Sequence, residues 1–249
     1  LSTSTDDRSL QGRSLYFLGI YYERQKQEDL ALDHFNRALV VFDPQVDRAA
    51  IADTLFEIGD IEIARSEFDR GIQSYQAAVT HPHNTPGETA KALDYLGYAH
   101  RRLGDYAKAI GYHRQALRTA EGMPTGAERA SAEARARNHI GLCLRLQALA
   151  ESPASIKLLL QAAHEERAGL AAIEPQSLDF RRQGYLQRAL ALTYLDLAVL
   201  QPADKDRQLK LALDAAGAAL EIGGKMCDEE WRGVGAACAG GDPGAAWPA

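Results

Sequence analysis

A small residue followed by an apolar one returns seven positions later, and this happens five times along the chain. Ala31-Leu32 is followed by Ala38-Leu39, Gly71-Ile72 by Ala78-Val79, Ala109-Ile110 by Ala116-Leu117, Ala162-Ala163 by Gly169-Leu170, and Ala212-Leu213 by Ala219-Leu220. Seven residues make nearly two helical turns, so the small residues lie on one face of a helix and let a neighbouring helix approach closely. Upstream of each set stands an apolar residue followed by a small one: Leu18-Gly19, Ile58-Gly59, Leu96-Gly97, Ile140-Gly141 and Leu190-Ala191. These mark a first helix. In the first three units the register is strict, with 19 positions from Gly19 to Ala38, Gly59 to Ala78 and Gly97 to Ala116. A chain patterned this way folds as consecutive helix pairs.

Composition points the same way. The 249 residues are 46% hydrophobic and 25% charged, enough to bury a sizeable core, and only 7% are aromatic. Alanine and leucine are frequent and strand-length runs of valine or isoleucine are missing, which favours an all-α fold. No apolar run approaches the roughly 20 residues of a membrane span, and "LSTSTDDRSL" lacks the order of a signal peptide. A soluble protein of the cytoplasm is expected, and the start at Leu1 suggests a piece of a longer chain. The net charge of -6 argues against nucleic-acid binding over the whole surface, because phosphate contacts need concentrated cations. Cys143, Cys227 and Cys238 show no CxxC spacing and imply neither a disulfide framework nor a zinc site.

The pattern resembles the tetratricopeptide repeat: a large apolar residue, Leu-Gly, Tyr, then Ala, Phe, Ala and a closing Pro. The first unit supplies Leu15, Leu18, Gly19, Tyr22, Ala31, Phe35, Ala38 and Pro44; the second supplies Leu55, Ile58, Gly59, Gly71, Tyr75, Ala78 and Pro82. The third supplies Leu93, Leu96, Gly97, Ala109 and Ala116 around "LGDY", with His100 and His113 where aromatics are usual. The resemblance implies a right-handed α-solenoid of about five antiparallel helix pairs, with first helices lining a concave face that accepts an extended peptide or a partner helix. Units are expected at about 12–45, 48–82, 88–122, 128–175 and 178–223, within a repeat domain over 1–223.

Units four and five depart from the register. The separations from Gly141 to Gly169 and from Ala191 to Ala219 are 28 rather than 19, so each carries nine extra residues, assigned to "AESPAS" and "QPADKD" as lengthened helices or loops. There Pro153 is expected to open a helix behind Ser152 and Pro202 to end one. The boundaries "DPQVD", "HPHNTPGE", "EGMPTGAE" and "EPQSLD" are turn-like, and Thr85, Pro86 and Glu88 form a capping box with proline at the first helical position. After Gly223-Gly224 the composition turns to glycine and alanine, and a disordered tail over 224–249 is expected.

Carried over by register, the family's groove positions are uneven in charge. Unit one gives Arg13, Tyr16, Ile20, Glu23 and Arg24; unit two gives Asp53, Phe56, Asp60, Ile63 and Ala64; unit three gives Lys91, Asp94, Tyr98, Arg101 and Arg102; unit four gives Arg135, Asn138, Leu142, Arg145 and Leu146; unit five gives Tyr185, Arg188, Leu192, Leu195 and Asp196. Cations gather in units three and four of a protein whose net charge is negative. Either they receive an acidic peptide through arginine forks and tyrosine contact area, or they are solvated side chains paired with nearby acids. The carboxylate clamp of chaperone-binding members is not matched, because Ile20 and Tyr98 stand where asparagine is wanted.

No catalytic, metal or cofactor site is assigned. His81 and His83 are read as loop residues, His100, His113 and His139 as packing or groove-edge hydrogen-bonding residues, and Cys143 as a buried small hydrophobe. Phosphate-loop, HExxH and GxSxG motifs are missing from the sequence. The expected function is non-catalytic: an adaptor binding a partner protein or peptide. The alternative is a regulatory segment of a larger bacterial-type signalling protein with an NTPase, transcription-factor or protease domain. Self-association through the last helix, around Leu213 and Leu220, is a further expectation.

Overall fold

A computed structural model of the protein describes residues 5–79, 85–173 and 179–233, with side chains described up to residue 224. Among the described residues there are ten α-helices and no strand. They pack in chain order as α1 (Thr5–Arg24) with α2 (Glu28–Val41), α3 (Arg48–Ala64) with α4 (Phe68–Val79), and α5 (Pro86–Arg102) with α6 (Tyr106–Glu121). Then come α7 (Ala127–Ala150) with α8 (Ile156–Ala172) and α9 (Phe180–Leu200) with α10 (Lys205–Gly233). The pairs stack into an all-α solenoid.

The small residues do what their spacing requires. Ala31, Ala38, Ala78, Ala109, Ala116 and Ala162 are fully or almost fully buried between helices. On the first helices the repeated spacing produces a notch: a Cβ added at Gly19 would lie 2.4 Å from the Phe35 ring, at Gly59 2.5 Å from the Tyr75 ring, and at Gly97 2.5 Å from the His113 imidazole. At Gly141 the cover is Glu166, whose Cγ would be 2.7 Å away. Closeness of this kind admits glycine and little else.

The turns inside the first three pairs are one repeated motif. Lys26, Ser66 and Gly104 occupy the same position with φ of 59°, 63° and 77°. At each, the next amide bonds back across the turn: Gln27 N to Tyr22 O at 2.9 Å, Glu67 N to Glu62 O at 2.8 Å, Asp105 N to His100 O at 2.9 Å. That is a Schellman cap, which satisfies carbonyls left open at a helix end. Only Gly104 adopts the left-handed backbone freely; Lys26 and Ser66 hold it at about 1 kcal/mol each, which shows how firmly the flanking packing sets the turn. The Thr85 box forms as expected, with Thr85 Oγ1 accepting from Glu88 N at 3.2 Å and Glu88 Oε2 accepting from Thr85 N at 2.6 Å.

Two expectations are corrected. Pro153 does not open α8, which begins at Ile156 behind Ser155; the surplus residues of unit four lengthen α7 to Ala150, because its buried stripe continues through Leu144 and Ala148. In unit five Pro202 does follow the end of α9, opening a single 3-10 turn over Pro202–Asp204. The helix α10 does not stop at Gly223-Gly224 but runs to Gly233, so the first part of the supposed tail is helical. Two glycines cost a helix about 1 kcal/mol apiece, and α10 continues through them all the same. Residues 234–249, the pair His81 and His83, and the boundary residues 174–178 lie outside the described residues.

Candidate peptide-binding face

Among the described residues three of the four successive pairs of first helices touch, α1 with α3, α5 with α7 and α7 with α9, whereas no second helix packs comparably on the next second helix. The stack therefore curves toward its first helices, and their free side is the inner face on which the groove residues were placed.

Its N-terminal half is acidic. Asp53, Glu57 and Asp60 project from one side of α3, at spacings of four and three residues, and Glu23 approaches from α1. Tyr16 donates its hydroxyl to Glu57 at 3.4 Å. Burial pushes the Glu57 carboxyl up to about 7, helped by the charges of Glu23 and Asp60. Burial likewise raises Asp60 to about 6, against the hydrogen bond that Tyr75 donates to it. Glu23, Asp53 and Asp60 are groove positions carried over by register; Glu57 was not among them, although the i, i+4, i+7 spacing of the three acids on one helix was a readable signal.

From unit three onward cations dominate, but most are partnered. Lys91 reaches back to Asp53 at 3.9 Å and lies over the Phe56 and Tyr95 rings, 5.0 and 5.8 Å from their centroids. Arg135 binds Asp94 at 2.5 Å and Arg145 binds Asp196 at 2.5 Å. Arg101 and Arg102 are different. Their guanidinium carbons stand 5.1 and 5.9 Å from the Tyr98 ring centroid, and Arg102 donates to the Tyr98 hydroxyl at 2.9 Å. Among the described residues neither has a carboxylate within ion-pair distance. Arg13 and Arg188 are exposed near the two ends of the face, and Asn138 is half-buried on α7. The structure thus gathers Tyr98, Arg101 and Arg102 into one cluster and commits Lys91, Arg135 and Arg145 to pairs that bridge adjacent units.

Beneath Arg135 lies a buried polar group. Asp94 is 5% exposed; its Oδ2 takes Arg135 Nε, while its Oδ1 faces His113 Nδ1 at 2.9 Å and His139 Nδ1 at 3.7 Å. Burial works against ionisation of Asp94, yet the two facing imidazoles hold its carboxyl well below the usual carboxylate range. Burial brings His113 down to about 4, against the attraction of Asp94, so a neutral imidazole donates Nδ1–H to an ionised carboxylate. One donor atom from each of Asp94, His113 and His139 lies within 4.8 Å of the others, close enough to consider a metal ion. With the single carboxylate already paired with Arg135, a divalent ion would meet no uncompensated negative charge, and we assign none. The expectation that His113 serves packing is met, since its ring fills the notch over Gly97. His100 stacks on Tyr112 at 5.3 Å, the same two positions at which Tyr22 stacks on His34 at 5.1 Å in unit one.

No protein-family model matches the sequence, and no curated protein matches it. Solved structures do. The Rap conjugation gene regulator of the plasmid pLS20, in complex with the Phr* peptide, superposes with a TM-score of 0.59 at 16% identity over 88% of this chain and 55% of its own. The apo form of RapI gives 0.58 at 14% identity over 90% of this chain and 66% of its own. BtubC from P. vanneervenii gives 0.57 at 15% identity over 98% of this chain and 95% of its own. The chain therefore spans little more than half the length of the Rap regulator. The fold is the tetratricopeptide-repeat solenoid. In that frame α1, α3, α5, α7 and α9 are the first helices of five repeats, and the notch glycines are the Leu-Gly signature at work. No helix among the described residues is long and apolar enough to cross a membrane.

Proposed function

We propose that this repeat domain is a non-catalytic module that binds an acidic segment of a partner protein or peptide on its inner face. The observation that carries this reading is the cluster of Arg101 and Arg102 around Tyr98. Two guanidinium groups without carboxylate partners flank an amphipathic ring, and an arginine fork suits a carboxylate in two-pronged geometry. Cation–aromatic contact costs the free protein little and leaves the forks' donors available. Arg13 and Arg188 extend the same chemistry toward the ends of the groove, while Lys91, Arg135, Asn138 and Arg145 line its middle. The partner is expected in the cytoplasm.

Binding of an end-blocked acidic peptide library tests this. The wild-type domain is expected to enrich glutamate- and aspartate-rich sequences, and Arg101→Glu with Arg102→Glu to abolish the enrichment with helicity unchanged. Equal binding by the reversed variant would overturn the reading. Arg135 is a poor choice for charge reversal, because a glutamate there would face Asp94.

A second reading is favoured by the length comparison with the Rap regulator: the same groove serves as the sensing segment of a longer signalling protein. The full reading frame decides it, through the presence or absence of an effector domain beside the repeats.

A further inference from the structure

We infer that the two ends of the solenoid fit one another, and that α10 of one copy docks on α1 of a second copy in the way each second helix docks on the first helix of the next unit.

Four junctions inside the chain set the pattern: α2 on α3, α4 on α5, α6 on α7 and α8 on α9. To each, the second helix brings the apolar member of its small-apolar pairs. Ile110 and Leu117 of α6 are buried in one cluster with Ile140 and Cys143 of α7, and Leu32 and Leu39 of α2 pack on the cluster that holds Ile58 and Ile61 of α3. In α10 the same register places Leu213 and Leu220, and these are 73% and 79% exposed. Gly217 stands between them, and a Cβ added there would meet nothing within 4 Å, so a helix could approach the stripe closely. Among the described residues no helix follows to cover it.

The other half of that junction stands at the opposite end of the molecule. Counted from the notch glycines, Leu18 and Tyr21 of α1 take the places of Ile58 and Ile61 in α3 and of Ile140 and Cys143 in α7. Those four are buried under the preceding second helix, whereas Leu18 and Tyr21 are 43% and 56% exposed, with Phe17 exposed beside them.

A lone copy leaves both stripes in water, and solenoid ends of this kind are uncapped. Seating α10 on the α1 of the next copy covers both stripes in a geometry that the fold already uses at its four internal junctions. A symmetric pairing of two α10 stripes would leave both α1 stripes bare. Because the two surfaces differ, the contact is heterologous: it leaves a free end on each copy and extends the stack beyond two chains.

Sedimentation equilibrium of the 249-residue chain, from micromolar to near-millimolar concentration, tests this. The wild-type mass is expected to climb past that of two chains. Leu213→Glu with Leu220→Glu blocks one end, and Leu18→Glu with Tyr21→Glu blocks the other. Each double variant alone is expected to keep the mass of one chain at every concentration, because all its copies lack the same half of the contact. Mixed in equal amounts, the two are expected to form dimers and stop, since one productive pair of ends remains. Circular dichroism checks that helicity is kept; if the α1 pair lowers it, Tyr21→Glu alone takes its place. A wild-type mass of one chain throughout overturns the inference and gives the stripes to other occupants, a further repeat or the stretch 234–249. A plateau at two chains, or self-association of the α1 variant alone, overturns it in favour of a symmetric α10 pair. A mixture that stays monomeric overturns the head-to-tail pairing.

Discussion

In units one and two the glycine notch of the first helix is covered by a ring, Phe35 or Tyr75, and in units three and four by His113 or Glu166. All four covers are almost completely removed from solvent. The backbone geometry is the same, so what the notch requires is volume, and polarity is accepted where a partner can be supplied. The supply is partial at both polar covers. His113 hands its Nδ1–H to Asp94 and leaves Nε2 buried without a partner, and Glu166 receives a 3.2 Å bond from Thr193 on Oε1 and leaves Oε2 buried without one. An unsatisfied buried polar atom costs about 1–3 kcal/mol, so the ring covers stabilise their notches more than the polar covers do.

The largest expected effects belong to the rings. Phe35→Ala and Tyr75→Ala should each lower the unfolding free energy by about 3–5 kcal/mol, the usual penalty for emptying a buried aromatic site, as measured by urea denaturation. Glu166→Ala should cost clearly less, because the lost packing is offset by removal of the orphaned oxygen. Equal losses at all three positions would break the comparison.

Glu166 sharpens it through pH. Burial pushes its carboxyl from 4.5 up to about 8, against the Thr193 bond and the charge of Arg145. The folded state thus prefers the protonated form. Below about pH 4.5 both states are protonated and the contribution is at its most favourable; as pH rises toward 8 the unfolded chain ionises and stability falls, by on the order of a few kcal/mol for a shift of this kind. Glu166→Gln should flatten the stability profile between those limits relative to wild type. An unchanged slope would mean that Glu166 ionises without cost in the fold.

The repeat, its notch and the Thr85 cap were legible because each depends on residues within one helix or one turn. Gly97 and His113 are 16 positions apart, as are Gly19 with Phe35 and Gly59 with Tyr75, and short-range spacing of that kind survives in sequence. The charge pairs were not legible. Arg135 finds Asp94 41 positions away and Arg145 finds Asp196 51 positions away, across the junction of two units. Which cation meets which acid there depends on how consecutive helices are set against one another, and no local pattern encodes that. The start of α8 was misplaced because Pro153 is a helix-opening signal locally, whereas the helix begins only at Ile156, behind Ser155.

The smallest effects come from the glycines themselves, and they test whether the notch or the helix decides. At Gly111 on α6 an added Cβ meets nothing within 4 Å, so Gly111→Ala should gain about 1 kcal/mol from helix propensity alone. At Gly59 the same methyl lies 2.5 Å from the Tyr75 ring, which is caged by Phe56 and stacked on Tyr95 at 5.2 Å and cannot withdraw. Overpacking of about 1–3 kcal/mol there outweighs the propensity gain. Gly141→Ala should fall between them, since the opposing Glu166 is an unbranched chain with an oxygen that has no bond to lose. Thermal unfolding of the three variants should rank Gly111→Ala above wild type, then Gly141→Ala, then Gly59→Ala. A reversal of the last two would mean that the carboxyl chain over Gly141 is held as firmly as the ring over Gly59, and that polar covers are as rigid as aromatic ones.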